Sequence, residues 1–302
     1  MSSKITDPEV LAFIARTEAF SPPGSNTASA SEQRRLYDRM CASFRKPRPT
    51  GIAVEAGAFA GRGGMVPIRR YWPRDPGPAR VLYFHGGGFV VGGLDSHDDV
   101  CAEIAARAQV EVIAVDYRLA PEHRHPAAFD DCLAASLAFG ERPLVLVGDS
   151  AGGNLAAALA LHSTVELCGQ VLIYPGLGGE ALDLASYRER ANPPLLSAED
   201  IAFYREIRSA NPDDAQQTSF SPLLASDFSK APPCFVSAAE FDPLRDDGLA
   251  YVDKLAQAGI AGEAVIEDQL PHGHLRARRM SARAGAAFDR ICEAVHRFAS
   301  QA

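Results

Sequence analysis

Near the N-terminus, apolar residues recur at helical spacing. Val10, Leu11, Phe13 and Ile14 form one stripe behind Thr6-Asp7-Pro8-Glu9, where Asp7 can cap and Pro8 suits the first helical position. A stretch rich in Ser, Pro and Gly (21–31) reads as a loop, and a second amphipathic helix follows over about 32–44. From Gly51 onward the pattern changes: short apolar runs alternate with longer amphipathic ones. Residues 66–72, 81–84, 110–115, 144–147, 171–174, 234–237 and 264–266 read as strands, with helices near 98–108, 127–139, 151–162, 246–258 and 281–299. This alternation predicts an α/β fold, a mostly parallel central sheet with helices on both faces. Ligands of such sheets sit at the carboxyl ends of the strands.

One connection is too long for that plan. Roughly 58 residues separate Tyr174 from Pro233, whereas a whole strand–helix–strand unit takes about 30. The excess holds Asn192-Pro193-Pro194 and a helix over 198–208 that Ser197 can cap. It reads as an insertion within one domain (1–302), forming a helical cap from about 1–45 and about 180–220. A plain surface excursion is the alternative, because long insertions cost little loop entropy.

Composition narrows the function classes. The 302 residues are 47% hydrophobic, enough for a sizeable core. Thirty Lys and Arg against 38 Asp and Glu give a net charge of −8. Without a Lys/Arg run, that balance argues against nucleic acid or an anionic membrane as partner. No stretch approaches the roughly 20 apolar residues of a membrane span. The first ten residues carry one Lys and no apolar core, so no secretory signal is expected. Cys41, Cys101, Cys132, Cys168, Cys234 and Cys292 lack C-x-x-C spacing. Buried free thiols, rather than a zinc cluster or disulfides, are expected, with the cytoplasm as the default compartment.

The chemistry concentrates after predicted strands. Residues 144–147 run into Gly148-Asp149-Ser150-Ala151-Gly152 and then directly into an Ala/Leu-rich helix. That is the context of a nucleophile elbow, a sharp turn that lifts a serine hydroxyl clear of the sheet. The helix starting at Ala151 would point its N-terminal amides at a developing oxyanion. His85-Gly86-Gly87-Gly88-Phe89 follows strand 81–84, and its glycines leave N–H groups unshielded as further donors. His85 precedes the serine, against the chain order of such sites, and is expected to be structural. Acid and base should follow Ser150. Asp242 lies just beyond strand 234–237, with Glu240 as its competitor, while Asp246 and Asp247 read as first-turn residues of the next helix. The base candidates are His272 and His274, which spacing alone barely separates. His123 and His125 lack a further clustered ligand for a metal site. Asp95, Ser96 and His97 read as helix-capping residues, and Trp72 as core or cap packing.

Four motifs in order, His85-Gly86-Gly87-Gly88-Phe89, Asp116-Tyr117-Arg118-Leu119-Ala120-Pro121-Glu122-His123, Gly148-Asp149-Ser150-Ala151-Gly152-Gly153 and Asp242-Pro243-Leu244-Arg245-Asp246, resemble the hormone-sensitive lipase-like family of α/β-hydrolases in its bacterial esterase branch. The resemblance runs from about Val81 to the C-terminus. It implies the α/β-hydrolase fold, a triad of Ser150, Asp242 and His272, and oxyanion amides from Gly87, Gly88 and Ala151. It also implies a serine carboxylesterase acting on short- to medium-chain acyl esters, without metal or cofactor. The same triad would serve an amidase, lactonase or deacetylase, and some relatives only bind ligands. The expected partner is a small-molecule ester, with a homodimer left open. One departure stands out: His272-Gly273-His274 occupies a place where the family usually has His-Gly-Phe.

Overall fold

The computed structural model describes residues 4–21 and 28–301. Part of the predicted loop over 21–31 therefore lies outside the described residues. Eight strands form one sheet: β1 (Ala53–Gly61), β2 (Gly64–Trp72), β3 (Arg80–Phe84), β4 (Glu111–Val115), β5 (Leu144–Asp149), β6 (Leu167–Ile173), β7 (Cys234–Phe241) and β8 (Gly262–Pro271). Their order is β1-β2-β4-β3-β5-β6-β7-β8. The hairpin β1–β2 joins antiparallel, and β4, β3, β5, β6, β7 and β8 run parallel. The mostly parallel α/β sheet read from the sequence is thus the observed architecture, the α/β-hydrolase fold.

Helices α3 (Asp98–Ala108) and α9 (Ala282–Ala299) pack one face of the sheet; α4 (Ala127–Phe139), α5 (Ala151–His162) and α8 (Arg245–Gln257) cover the other. The central strands are buried on both faces, which is why they read as unbroken apolar runs. Strand β1 had no such signal. Its sequence AVEAGAFAG is mostly small, and only Phe59 is buried, because an edge strand has one neighbour and an open face.

The remaining helices gather above the carboxyl ends of the strands. Helix α1 (Pro8–Glu18) begins as expected, with the Asp7 carboxylate accepting from the N–H groups of Glu9 and Val10. It is tied down by Asp7–Arg283 (2.9 Å) and packs Phe13 on Phe44 of α2 (Ala30–Phe44). Arg34 of α2 bridges Glu122 and donates to the carbonyls of Val90 and Ala120. The long connection after β6 carries α6 (Ser186–Glu189) and α7 (Ala198–Arg208), the latter opened by a capping box between Ser197 and Asp200. Buried Asp247 of α8 holds the start of this connection, accepting from the N–H groups of Leu177 and Gly179 and from the Tyr187 hydroxyl.

Candidate active site

Strands β3 and β5 are adjacent, with Phe84 paired to Gly148, so the loops that leave them start side by side. The β5 loop is a single residue. Ser150 takes φ 54° and ψ −115°, and α5 begins immediately after it. Such a conformation costs about 1–3 kcal/mol at a non-glycine residue and persists only where its surroundings enforce it. Here the Ser150 N–H donates to Ile173 O on β6 at 2.8 Å, and Asn154 N–H closes the first helical turn on Ser150 O. The elbow also requires α5 to approach β3 very closely: a Cβ on Gly152 would sit 1.9 Å from Phe84 O. The glycine at that position is sterically compulsory.

Strands β7 and β8 end in register, Phe241 opposite Pro271, and the next residue in each is Asp242 and His272. Neighbouring strands lie about 4.8 Å apart, so β8 is three strands and roughly 14 Å from β5. Gly273, at φ 76°, turns the chain immediately after His272. His272 Nε2 then lies 2.9 Å from Ser150 Oγ, and Nδ1 lies 2.6 Å from Asp242 Oδ2. A carboxylate only accepts, so Nδ1 carries the proton and Nε2 is left to accept from the hydroxyl. Asp242 is fully buried, and its second oxygen accepts from Leu244 N–H at 2.9 Å. Glu240 faces elsewhere, accepting from Gln269 N–H at 2.9 Å. The structure therefore brings Ser150, His272 and Asp242 together and leaves Glu240 out.

Gly87, Gly88 and Ala151 line the same cavity as Ser150 and His272. Gly87 has φ 129°, and its carbonyl turns away to accept from the N–H groups of Val90 and Val91. Among the described residues, the N–H groups of Gly87, Gly88 and Ala151 have no protein acceptor. The loop is held from beneath by Asp149, whose Oδ1 accepts from Gly86 N–H (2.9 Å) and from the Tyr83 hydroxyl (2.8 Å). His97 Nε2 approaches the same carboxylate at 3.2 Å. Although burial opposes it, neighbouring His97 and the hydrogen bonds from His97 and Tyr83 hold the Asp149 carboxyl well below the usual range.

This network corrects one expectation. None of Asp95, Ser96 and His97 caps α3 with its side chain. Asp95 pairs with Arg69, Ser96 closes a turn on Gly93 and contacts His97 Nδ1, and His97 braces Asp149. No local pattern could show this, since His97 and Asp149 are 52 positions apart. Trp72 is likewise neither core nor cap; it lies half-buried at the end of β2, with the Arg70 guanidinium 5.3 Å from its ring.

The other histidines separate by burial. His85 stacks on Tyr117 and donates from Nδ1 to Gly86 O; burial pushes it down to about 4, so it is neutral scaffold. His274 is fully buried edge-on to Tyr174, with Nδ1 on Pro271 O and Nε2 unpartnered. Burial pushes it down to about 3. It fills the slot of an aromatic packing residue and stays uncharged. His125 packs on Phe220 and lies near Gln217 and Ser219. All six cysteines are free, five of them buried.

A cavity of about 590 Å³ opens above Ser150, within the usual range for small-molecule sites. Its walls come from α1 and α2 (Phe13, Tyr37, Met40), the loop after β3 (Gly87, Gly88, Phe89), and α7 (Ile201, Tyr204, Arg208). The α7 residues were not singled out in the sequence. Their spacing of three, then four, marks one helical face, and it was the available signal.

A hydroxyl at a strained elbow, an imidazole bridging it to a buried carboxylate, and free amides beside it match the arrangement that serine hydrolases carry on an α/β-hydrolase fold. Comparison with known proteins agrees: residues 81–276 match the family model for the alpha/beta hydrolase fold. The chain belongs to the α/β-hydrolases, in their hormone-sensitive lipase-like family. It is 40% identical over 229 residues to carboxylesterase NlhH of Mycobacterium tuberculosis, an alignment covering 70% of this chain and 71% of that protein. It is 35% identical over 293 residues to ethyl acetate hydrolase of Pseudomonas putida, covering 89% and 92% respectively. Among solved structures, the hyperthermophilic esterase from the archaeon Pyrobaculum calidifontis superposes with a TM-score of 0.90 at 31% identity, covering 97% of this chain and 99% of that one.

Proposed function

We propose that the protein is a serine carboxylesterase that hydrolyses short- to medium-chain acyl esters through an acyl-enzyme at Ser150. The observation that carries this reading is the bridging imidazole of His272, 2.9 Å from Ser150 Oγ and 2.6 Å from Asp242 Oδ2. Ser150 Oγ attacks the acyl carbon while His272 Nε2 takes its proton. Asp242 fixes the tautomer and stabilises the imidazolium. The oxyanion is held by the N–H groups of Gly87, Gly88 and Ala151, at the positive end of α5; one such donor is worth about 3 kcal/mol in the transition state. Nε2–H then protonates the departing alcohol oxygen. Water attacks the acyl carbon with His272 again as base, and Ser150 Oγ leaves with the proton returned.

The named ester hydrolases among its relatives support ester rather than amide substrates. Helices α1, α2 and α7 form the cap, and their side chains limit the acyl chain. No described helix is long and apolar enough to cross a membrane. Free, mostly buried thiols favour a reducing compartment, and we place the enzyme in the cytoplasm. The test is turnover of p-nitrophenyl esters from acetyl to dodecanoyl by the wild type and Ser150→Ala. Activity should peak at short to medium chains and vanish in the variant. Retained turnover in Ser150→Ala, or a peak on dodecanoyl, would overturn the respective part.

A further inference from the structure

Arg208 is a cavity residue that the chemistry at Ser150 leaves unused. It lies on the inner face of α7, one turn beyond Tyr204. Its guanidinium carbon is 3.9 Å from the ring centroid of Phe89 and 3.5 Å from that of Phe220, and Nη2 donates to Phe220 O at 2.9 Å. Among the described residues it has no ion-pair partner, and its other N–H groups have no acceptor. None of its nitrogens is sealed from the cavity as an orphan donor.

Carboxylates in the neighbourhood are engaged elsewhere. Glu180 lies 3.7 Å from Arg205 and receives the Tyr187 hydroxyl. Asp200 takes the Ser197 N–H and hydroxyl, and Asp214 takes the N–H groups of Ala210 and Asn211. Burial pushes the Arg208 guanidinium down to about 9, which still leaves it cationic at neutral pH. An unpaired cation flanked by two aromatic rings in a cleft is costly until something with negative charge completes it.

Its position says which part of a substrate it meets. Phe220 O also accepts from Asn154 Nδ2 at 3.0 Å, and Asn154 is four residues along α5 from Ser150, a rise of about 6 Å. Phe89 directly follows the oxyanion glycines. The loop carrying Phe89 leaves β3, on the opposite side of β5 from β8 and His272, and Arg208 stacks on Phe89 within the cavity that holds Ser150. His272 must face the alcohol oxygen it protonates. The acyl group is left to point towards Arg208.

We propose that Arg208 recognises a carboxylate at the far end of the acyl group, so that half-esters of short dicarboxylic acids are a preferred substrate class. The guanidinium binds that carboxylate through its free N–H groups, as arginine does wherever planar anions are recognised. This inference rests on the esterase reading above, and the experiment keeps the two apart.

The probes are ethyl hydrogen succinate and ethyl hydrogen glutarate, set against ethyl pentanoate, with ethanol release followed in the wild type, Arg208→Met and Arg208→Lys. Fluorophosphonate labelling of Ser150 counts competent sites in each. In the wild type, kcat/KM for the better half-ester should equal or exceed that for ethyl pentanoate. The half-ester to pentanoate ratio should fall at least tenfold in Arg208→Met and recover in part in Arg208→Lys. A wild type that prefers pentanoate to both half-esters overturns the proposal, even if Arg208→Met gives no labelled protein. So does an unchanged ratio in that variant, which would leave Arg208 as an aromatic-stacked anchor of α7. Absence of both labelling and turnover of every ester would instead overturn the esterase reading.

Discussion

Replacing Asp242 by Asn changes one atom and should nearly silence the enzyme. The carboxylate is fully buried and makes two contacts: Oδ1 accepts from Leu244 N–H, and Oδ2 accepts from His272 Nδ1. In the variant, the amide oxygen stays on Leu244 N–H, because a buried N–H left unpaired costs about 1–3 kcal/mol. The amide NH2 then faces Nδ1, which must become an acceptor. The imidazole proton moves to Nε2, where it points at Ser150 Oγ, and the base can no longer take the hydroxyl proton. The same substitution in other serine hydrolases lowers kcat about 10⁴-fold, or about 5 kcal/mol. The assay is kcat for p-nitrophenyl butanoate at neutral pH, with thermal unfolding to show that the isosteric change leaves the fold standing. A loss below tenfold in a folded variant would refute the tautomer argument.

Two other perturbations test the supports of the site. His274 is buried neutral with its pKa pushed down to about 3, so below the unfolded value the unfolded chain binds a proton that the folded chain refuses, and stability is lost as pH falls from about 6.5. At pH 5 that amounts to about 2 kcal/mol, so His274→Phe should show a smaller drop in Tm between pH 7 and 5 than the wild type; an equal drop counts against it. Asp149→Ala removes the acceptor that seats Gly86 N–H and should lower kcat about 10²-fold with a smaller change in KM, as steady-state kinetics would show; an unchanged kcat would mean the loop is held without it.

What could be read from the chain follows from where each signal is encoded. The elbow was legible because its steric demands are local: a strand, a serine and glycines two residues either side, then a helix. The central strands were legible because burial on both faces leaves an apolar run. Strand β8 was seen only at its middle, because Glu267 and Gln269 interrupt the run; both are buried, satisfied by Ser237 and Arg290 and by Thr6. Strand β1 was missed because an exposed edge of small residues imposes no pattern. Asp242 stood above Glu240 by its place at a strand end, but which of the two faces the imidazole is decided by the register of β7 on β8. The bracing of Asp149 by His97 joins segments 52 positions apart, which no local spacing encodes; on α7 the spacing marks a helical face, and packing between distant segments decides that this face turns inward.

The central claim is that one hydroxyl, at the bend between β5 and α5, is the nucleophile. Incubation with a fluorophosphonate, followed by peptide mapping in a mass spectrometer, should place a single phosphonyl adduct on Ser150, at a rate that falls steeply in His272→Ala. An adduct on any other residue, or labelling that is indifferent to His272, would contradict the account.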